Sequence, residues 1–428
     1  MEKIVNDILK EELYYEKLDN GLDVYFMPKK GFMKKFAVLA TNYGSNELEF
    51  IPINENEKFR VNEGIAHFLE HKMFEQPDGG NAFDKFSKLG ASANAYTNFT
   101  MTAYLFSCTD NFYESLEHLI DYVQTPYFTD ENVEKEKGII EQEIKMYNDD
   151  PDWNVYFNCL RAMYKDYPVN VDIAGTVESI YKITKDELYK CYNTFYNPGN
   201  MALFVVGDVE VDKVMESIKK SNHSNIEKLD HSIKRFYPEE SKEINKKEIV
   251  ANFPISMPMF NIGFKDDNVG IKGRELLRKE VVTEILLDMI FKRGSEVFDE
   301  LYMSGLINDN FGCGFTSQVD YAFTLVGGES ESPMKVKDVI LKYITKYQKE
   351  GLCEEDFNRI KKKKMGQFIK YFDSVNFIAN NFIAYKFKDI NLLDYLEVIK
   401  EVEFKEVEER LKNHLKEEYC VISIVEPK

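Results

Sequence analysis

The chain is short of the features that would make it a secreted, membrane-bound or nucleic-acid-binding protein. Its six cysteines, Cys108, Cys159, Cys191, Cys313, Cys353 and Cys420, are widely scattered with no C-x-x-C pair, which suits free thiols in a reducing compartment. No apolar run approaches the length needed to span a bilayer. The opening M-E-K-I-V-N-D-I-L-K-E-E-L is acidic and amphipathic, with neither a signal-peptide core nor a basic transit face. These absences place the protein in the cytoplasm. Long basic runs are also lacking, and the formal charge is −19, which argues against nucleic acid or an anionic membrane as partner and weakly favours cationic peptides.

Histidine is scarce too, at six in 428 residues, so the placement of two of them is informative. Gly64 to Phe74 reads G-I-A-H-F-L-E-H-K-M-F. On a helix His67 and His71 lie about 40° apart, and Glu70 falls about 60° to the other side of His67. Ile65, Ala66, Phe68, Leu69 and Met73 are apolar, leaving Lys72 as the outlier. Two imidazoles and a carboxylate on one strip of a buried helix need a partner. Histidines at i and i+4 can offer ring nitrogens to one tetrahedral Zn²⁺, and the neighbouring Glu70 can take a proton from a coordinated water. His-x-x-Glu-His is the inverted relative of His-Glu-x-x-His. Chance gives on the order of 0.01 occurrences in such a chain. The bland alternative is a hydrogen-bonded histidine pair.

A third ligand can be sought by the same geometry. With Glu136 as origin in D-E-N-V-E-K-E-K-G-I-I-E-Q-E-I-K-M-Y-N-D (130–149), Val133, Ile139, Ile140, Ile144, Met146 and Tyr147 fall within about 80°, whereas Glu134, Lys135, Lys137, Glu141, Lys145 and Asp149 lie opposite. Glu136 and Glu143, about 20° apart, share the apolar face. Carboxylates there must be protonated or find a cation. A metal shared with His67 and His71 meets that need, with Glu143 as ligand and Glu136 behind it. Pairing with buried Lys or Arg is the weaker alternative, because this helix's own basic residues point outward.

The rest of the chain reads as α+β. A hairpin over 13–28 turns at Asp19-Asn20-Gly21, and a strand follows at 36–42. After the motif helix come a short helix ending at Gly90 and strands over 91–98 and 101–108. Helices at 111–124, 131–148, 153–164 and 184–196 lead to a strand beginning at Met201. The strand A-S-A-N-A-Y-T-N is either a solvent-facing edge or a strand that pairs with an extended peptide. Residues 221–248 are charged and read as a linker between 1–220 and 249–428, with His223 and His231 solvated rather than ligands. F-D-K-F-S-K-L-G at Phe83 returns as F-D-E-L-Y-M-S-G at Phe298, and H-F-L-E-H-K-M-F at His67 aligns with E-I-L-L-D-M-I-F at Glu284. The second copy therefore has Glu284, Leu287 and Asp288 in place of the ligands and base. This is a duplication into two domains rather than a solenoid.

Over nearly its whole length the chain resembles the pitrilysin/insulinase zinc metallopeptidases, in the short branch that includes the mitochondrial processing peptidase and its bacterial relatives. The resemblance is carried by H-F-L-E-H (67–71), A-S-A-N-A-Y-T (91–97), E-K-G-I-I-E-Q-E-I (136–144), G-T-V-E-S-I (175–180) and F-Y-N-P-G-N-M-A-L-F-V-V-G-D (195–208). It implies two homologous domains, each a mainly antiparallel sheet packed by helices, facing each other across a cavity. It also implies one Zn²⁺ on His67, His71 and Glu143, Glu70 as general base, Glu136 in support, and Asn94 and Ala95 on the strand that binds substrate backbone. Members that act alone carry an Arg and a Tyr in a pattern like R-x-x-x-G-L-x-Y. Here L-Y-M-S-G-L-I-N puts Leu301 and Asn308 at those positions. The resemblance therefore points to the zinc-bearing chain of a heterodimer whose homologous partner carries Arg/Tyr, or to a homodimer in isolation.

Overall fold

A computed structural model describes residues 1–221 and 233–428, so that His223 and His231 lie outside the described residues. The chain forms two compact units, residues 1–144, 171–237 and 371–387 in one and 145–170, 238–370 and 388–428 in the other. Each unit thus takes in a segment from the opposite half of the sequence.

In chain order the first unit contains β1 (Glu2–Asn6), β2 (Glu11–Lys17), β3 (Asp23–Pro28), β4 (Lys35–Thr41), β5 (Glu49–Phe50), β6 (Phe59–Arg60), β7 (Ser92–Thr97), β8 (Thr102–Cys108), β9 (Met201–Gly207) and β10 (Arg235–Phe236). Its main sheet runs β1-β2-β3-β9-β4-β8-β7, and β10-β5-β6 form a small second one. Pairing is antiparallel except between β3 and β9. The centre reads as continuous apolar strands, M-A-L-F-V-V-G in β9 being buried at every position, as a strand covered on both faces requires. Helices α1 (Ile65–Lys72), α2 (Ala82–Leu89), α3 (Phe112–Val123) and α4 (Asp130–Asn148) follow the expected segments within a residue or two. The helix Val375–Lys386, from the second half of the sequence, packs on this sheet, with the Phe382 ring 4.4 Å from Phe204 and 4.8 Å from Tyr25.

The second unit contains β11 (Glu248–Phe253), β12 (Met259–Lys265), β13 (Gly312–Ser317), β14 (Ala322–Glu329) and β15 (Cys420–Pro427), ordered β11-β15-β12-β14-β13. Its pairing is antiparallel except between β11 and β15. That order repeats β3-β9-β4-β8-β7 strand for strand, including the single parallel pair. The duplication seen in the F-D-x-x-x-x-x-G repeat is therefore a duplication of topology. Helix α5 (Pro151–Met163) packs in this unit, where the Cys159 thiol contacts the Asn261 carbonyl of β12 at 3.6 Å.

Candidate metal centre and peptidase site

Helix α1 begins at Gly64, whose φ of 86° places it in the left-handed region. A Cβ there would lie 2.3 Å from the Ala174 carbonyl oxygen, and one on Gly175, also at positive φ, would lie 2.6 Å from the Glu63 carbonyl oxygen. Only two glycines allow this mutual approach. The Ser179 hydroxyl adds a bond to the Glu63 carbonyl at 2.8 Å. The segment G-T-V-E-S-I thus locks the start of the motif helix.

From that helix His67 and His71 meet Glu143 of α4. His67 Nε2 lies 3.6 Å from Glu143 Oε1, and His71 Nε2 lies 3.4 Å from Glu143 Oε2. One ligand atom from each of the three can be chosen so that all lie within 4.8 Å of one another, and no other such group of His, Cys, Asp and Glu occurs among the described residues. Donors at zinc-like bond lengths in a tetrahedron are about 3.4 Å apart, so the set fits the ion. Glu136 accepts from His71 Nδ1 at 3.0 Å, which fixes the tautomer that leaves Nε2 free for a metal. Burial disfavours the His71 imidazolium, but Glu136 and Glu143 bond to it and push it up to about 10. Burial likewise opposes the Glu143 carboxylate, yet the two imidazoles hold it well below the usual carboxylate range.

Glu70 projects beside this cluster from the same helix and is 7% exposed. Burial raises its carboxyl above the usual range, against the pull of His67, Thr97 and His71. Its Oε2 accepts a 2.6 Å bond from the Thr97 hydroxyl. Asn94 and Ala95 lie on β7, the outermost strand of the sheet, and the Asn94 side chain accepts from the Ala95 amide at 2.9 Å. A cleft of about 790 Å³ joins Glu70, His71, Asn94, Ala95 and Glu136. All seven residues singled out in the sequence therefore lie in one neighbourhood.

Two expectations about the helices need correction. On α4, Val133, Glu136, Ile140 and Ile144 are buried, but Ile139 and Met146 are 49% and 59% exposed and Lys137 is 5% exposed. Ile139 looks into the cleft, while Lys137 donates inward to the Tyr181 carbonyl at 3.1 Å. Lys72, the polar outlier of α1, is fully buried and is the cation the wheel of α4 alone could not supply. Its ammonium reaches Glu75 at 2.7 Å, the Asn132 carbonyl at 3.1 Å and Glu136 at 3.9 Å. Helical geometry alone points to neither Thr97 nor Lys72; a lysine on an otherwise apolar helix face is the signal for the second, and nothing local marks the first.

The second copy shows what happens where the ligands are missing. Glu284 bonds to the Tyr395 hydroxyl at 2.9 Å and Lys364 at 3.3 Å, and Asp288 faces Lys363 at 3.5 Å. Lysines take the role a metal would have, and Leu287 is core. Leu301 is also core, and Asn308 donates to Glu329 at 2.6 Å.

Residues 53–177 match the family described as Insulinase (Peptidase family M16), and residues 182–364 match the Peptidase M16 inactive domain. The uncharacterised zinc protease YmfH of Bacillus subtilis is 43% identical over 420 residues, covering 98% of both chains. The chain belongs to the insulinase family, peptidase family M16. Among M16 relatives, the beta subunit of the mitochondrial-processing peptidase of Caenorhabditis elegans is 32% identical over 171 residues, which is 39% of this chain and 36% of that one. The crystal structure of an M16-like peptidase from Alicyclobacillus acidocaldarius superposes with a TM-score of 0.94 at 37% identity, covering 98% of this chain and 99% of that one. The M16 assignment agrees with the mixed sheets and their duplicated order. No described helix is long and apolar enough to cross a membrane.

Proposed function

We propose that this chain is a zinc metalloendopeptidase that holds one Zn²⁺ on His67, His71 and Glu143 and hydrolyses peptides or unfolded segments within a chamber. The observation that carries this reading is the convergence of those three side chains from α1 and α4 beside the buried Glu70. Zinc held there would supply Lewis acidity, polarising a carbonyl and lowering the pKa of a coordinated water to about 7. Glu70 takes the proton of the attacking water and returns it to the leaving amine. Glu136 orients His71, and Asn94 and Ala95 present the edge of β7 to the substrate main chain. The two duplicated segments are 1–220 and 249–428, joined by 221–248, and the protein is cytoplasmic.

Leu301 and Asn308 supply neither the cation nor the phenol that would steady a carbonyl oxygen, so a homologous partner chain carrying Arg/Tyr completes the site, the isolated chain being a homodimer. Those two residues also favour a second reading, a metal-retaining regulatory subunit without turnover. Quenched peptides offered to the zinc-loaded chain, alone and mixed with a homologous chain that carries the pair, decide between them. Cleavage only in the mixture, lost on chelation, is the expected result. Zinc bound tightly with no cleavage in any mixture would favour the regulatory subunit.

Glu136→Gln should weaken zinc binding by about 10- to 100-fold, since it replaces the carboxylate that orients His71 with a neutral amide. Competition against a chromophoric chelator measures this. An unchanged affinity would dismiss the orienting role.

A further inference from the structure

We propose that Thr97 is the positioning residue of the general base, tying Glu70 to the strand that receives the substrate; this rests on the peptidase reading above. Thr97 ends β7 and faces Thr102 across the β7 and β8 pair. Its Oγ1 lies 2.6 Å from Glu70 Oε2 and 3.2 Å from Thr102 Oγ1. Thr102 is fully buried and donates to the Tyr43 carbonyl oxygen at 2.9 Å. A carbonyl oxygen only accepts, so the single hydroxyl proton of Thr102 is engaged there. The proton of Thr97 is then directed at the carboxylate.

The consequence is an asymmetric carboxylate. Oε2 is held by Thr97, and Oε1 has no bonded partner among the described residues, which leaves it as the oxygen that takes the proton. The last torsion of a glutamate is broad and close to two-fold. Without Thr97 the group would swing, and the receiving oxygen would face the reacting water for a smaller share of the time. Ala95 and Thr97 are two apart on one strand and so project to the same face. The base is thereby registered against the edge at which a peptide would pair. The side-chain bonds of Thr97 run to Glu70 and Thr102, so its action is through Glu70.

The test is the comparison of Thr97→Val, which keeps the shape and removes the hydroxyl, with Thr97→Ser, which keeps the hydroxyl. Each is assayed with the companion chain if the wild type needs one. Loss of a hydrogen bond to a charged group predicts about a 10- to 100-fold fall in kcat for the valine variant. KM should stay within about twofold, zinc content and melting temperature should match the wild type, and serine should restore turnover to within about threefold. Wild-type kcat in the valine variant overturns the proposal, as does a serine variant impaired equally, or a rise in KM at constant kcat. If the valine variant does not fold, Thr97→Ala against Thr97→Ser gives the same comparison. A wild type that cleaves nothing in any mixture overturns the peptidase reading and this inference together, whereas an active wild type with an unaffected valine variant overturns the inference alone.

Discussion

Glu70→Gln should lower kcat by about 10²- to 10⁴-fold, the range over which a positioned general base accelerates proton transfer, while the protein still binds one zinc. The two effects separate because Glu70 is on the ligand helix without being a member of the ligand set. His67, His71 and Glu143 form the group that could hold the ion, and the Glu70 carboxylate is bonded to Thr97 instead. Glutamine preserves the volume and still accepts from Thr97, so α1 and the cleft are retained. What disappears is the ability to accept a proton from water and pass it to the leaving amine. Single-turnover cleavage together with metal analysis provides the check. Wild-type turnover by a zinc-loaded glutamine variant would exclude Glu70 as the base, and loss of zinc would make it a ligand or a structural support.

Asp266→Asn should destabilise the second unit by about 3–5 kcal/mol, the cost of leaving buried charge without its counterion. Asp266 follows β12 and is 4% exposed. Arg410 pairs with it, and the Lys279 ammonium lies 2.9 Å away. Arg410 is held in turn by the Thr283 hydroxyl at 2.8 Å. Burial opposes ionisation of Asp266, but the cations beside it, Arg410 and Lys279, hold it far below the usual carboxylate range. Burial, reinforced by Arg410, keeps His414 neutral, so the charges that matter are the guanidinium and the ammonium. A depressed carboxylate contributes stability that is present above its unfolded pKa of about 3.9 and lost as pH falls through the folded value. The variant should therefore melt about 10 °C lower at neutral pH, from the usual 2–4 °C per kcal/mol in domains of this size. The difference from wild type should shrink below about pH 4. Calorimetry at pH 7 and pH 3 measures both, and equal melting temperatures at pH 7 would show that the ion cluster adds nothing.

Local pattern carried much of this architecture. Alternation on either side of Asp19-Asn20-Gly21 marks the β2 and β3 hairpin, Gly90 marks the end of α2, and the F-D-x-x-x-x-x-G repeat marks the second copy. The convergence of His67, His71 and Glu143 was readable because imidazoles at i and i+4 and carboxylates at i and i+7 obey helical geometry, which is local. The failures arise where a distant element decides. A wheel assigns one buried face to α4, but this helix has the cleft along one flank and the Tyr181 carbonyl on another, so Ile139 is exposed and Lys137 is buried. Lys72 looked like an interruption until the Asn132 carbonyl and Glu136 were brought to it. The bond from Thr97 to Glu70 joins residues 27 positions apart on a strand and a helix, and no periodicity in either segment encodes it. Membership of each compact unit is likewise set by packing, since α5 and the helix Val375–Lys386 leave the half of the sequence that contains them.

That exchange limits how a gene of this kind can be divided. A fragment ending in the connecting segment would lack Val375–Lys386 against β9, and the complementary fragment would lack α5 against β12. Neither product would own a complete hydrophobic interior, so each is a piece of two bodies rather than the whole of one. Two halves made separately would have to find each other to mature, a dependence that favours keeping both copies on one polypeptide.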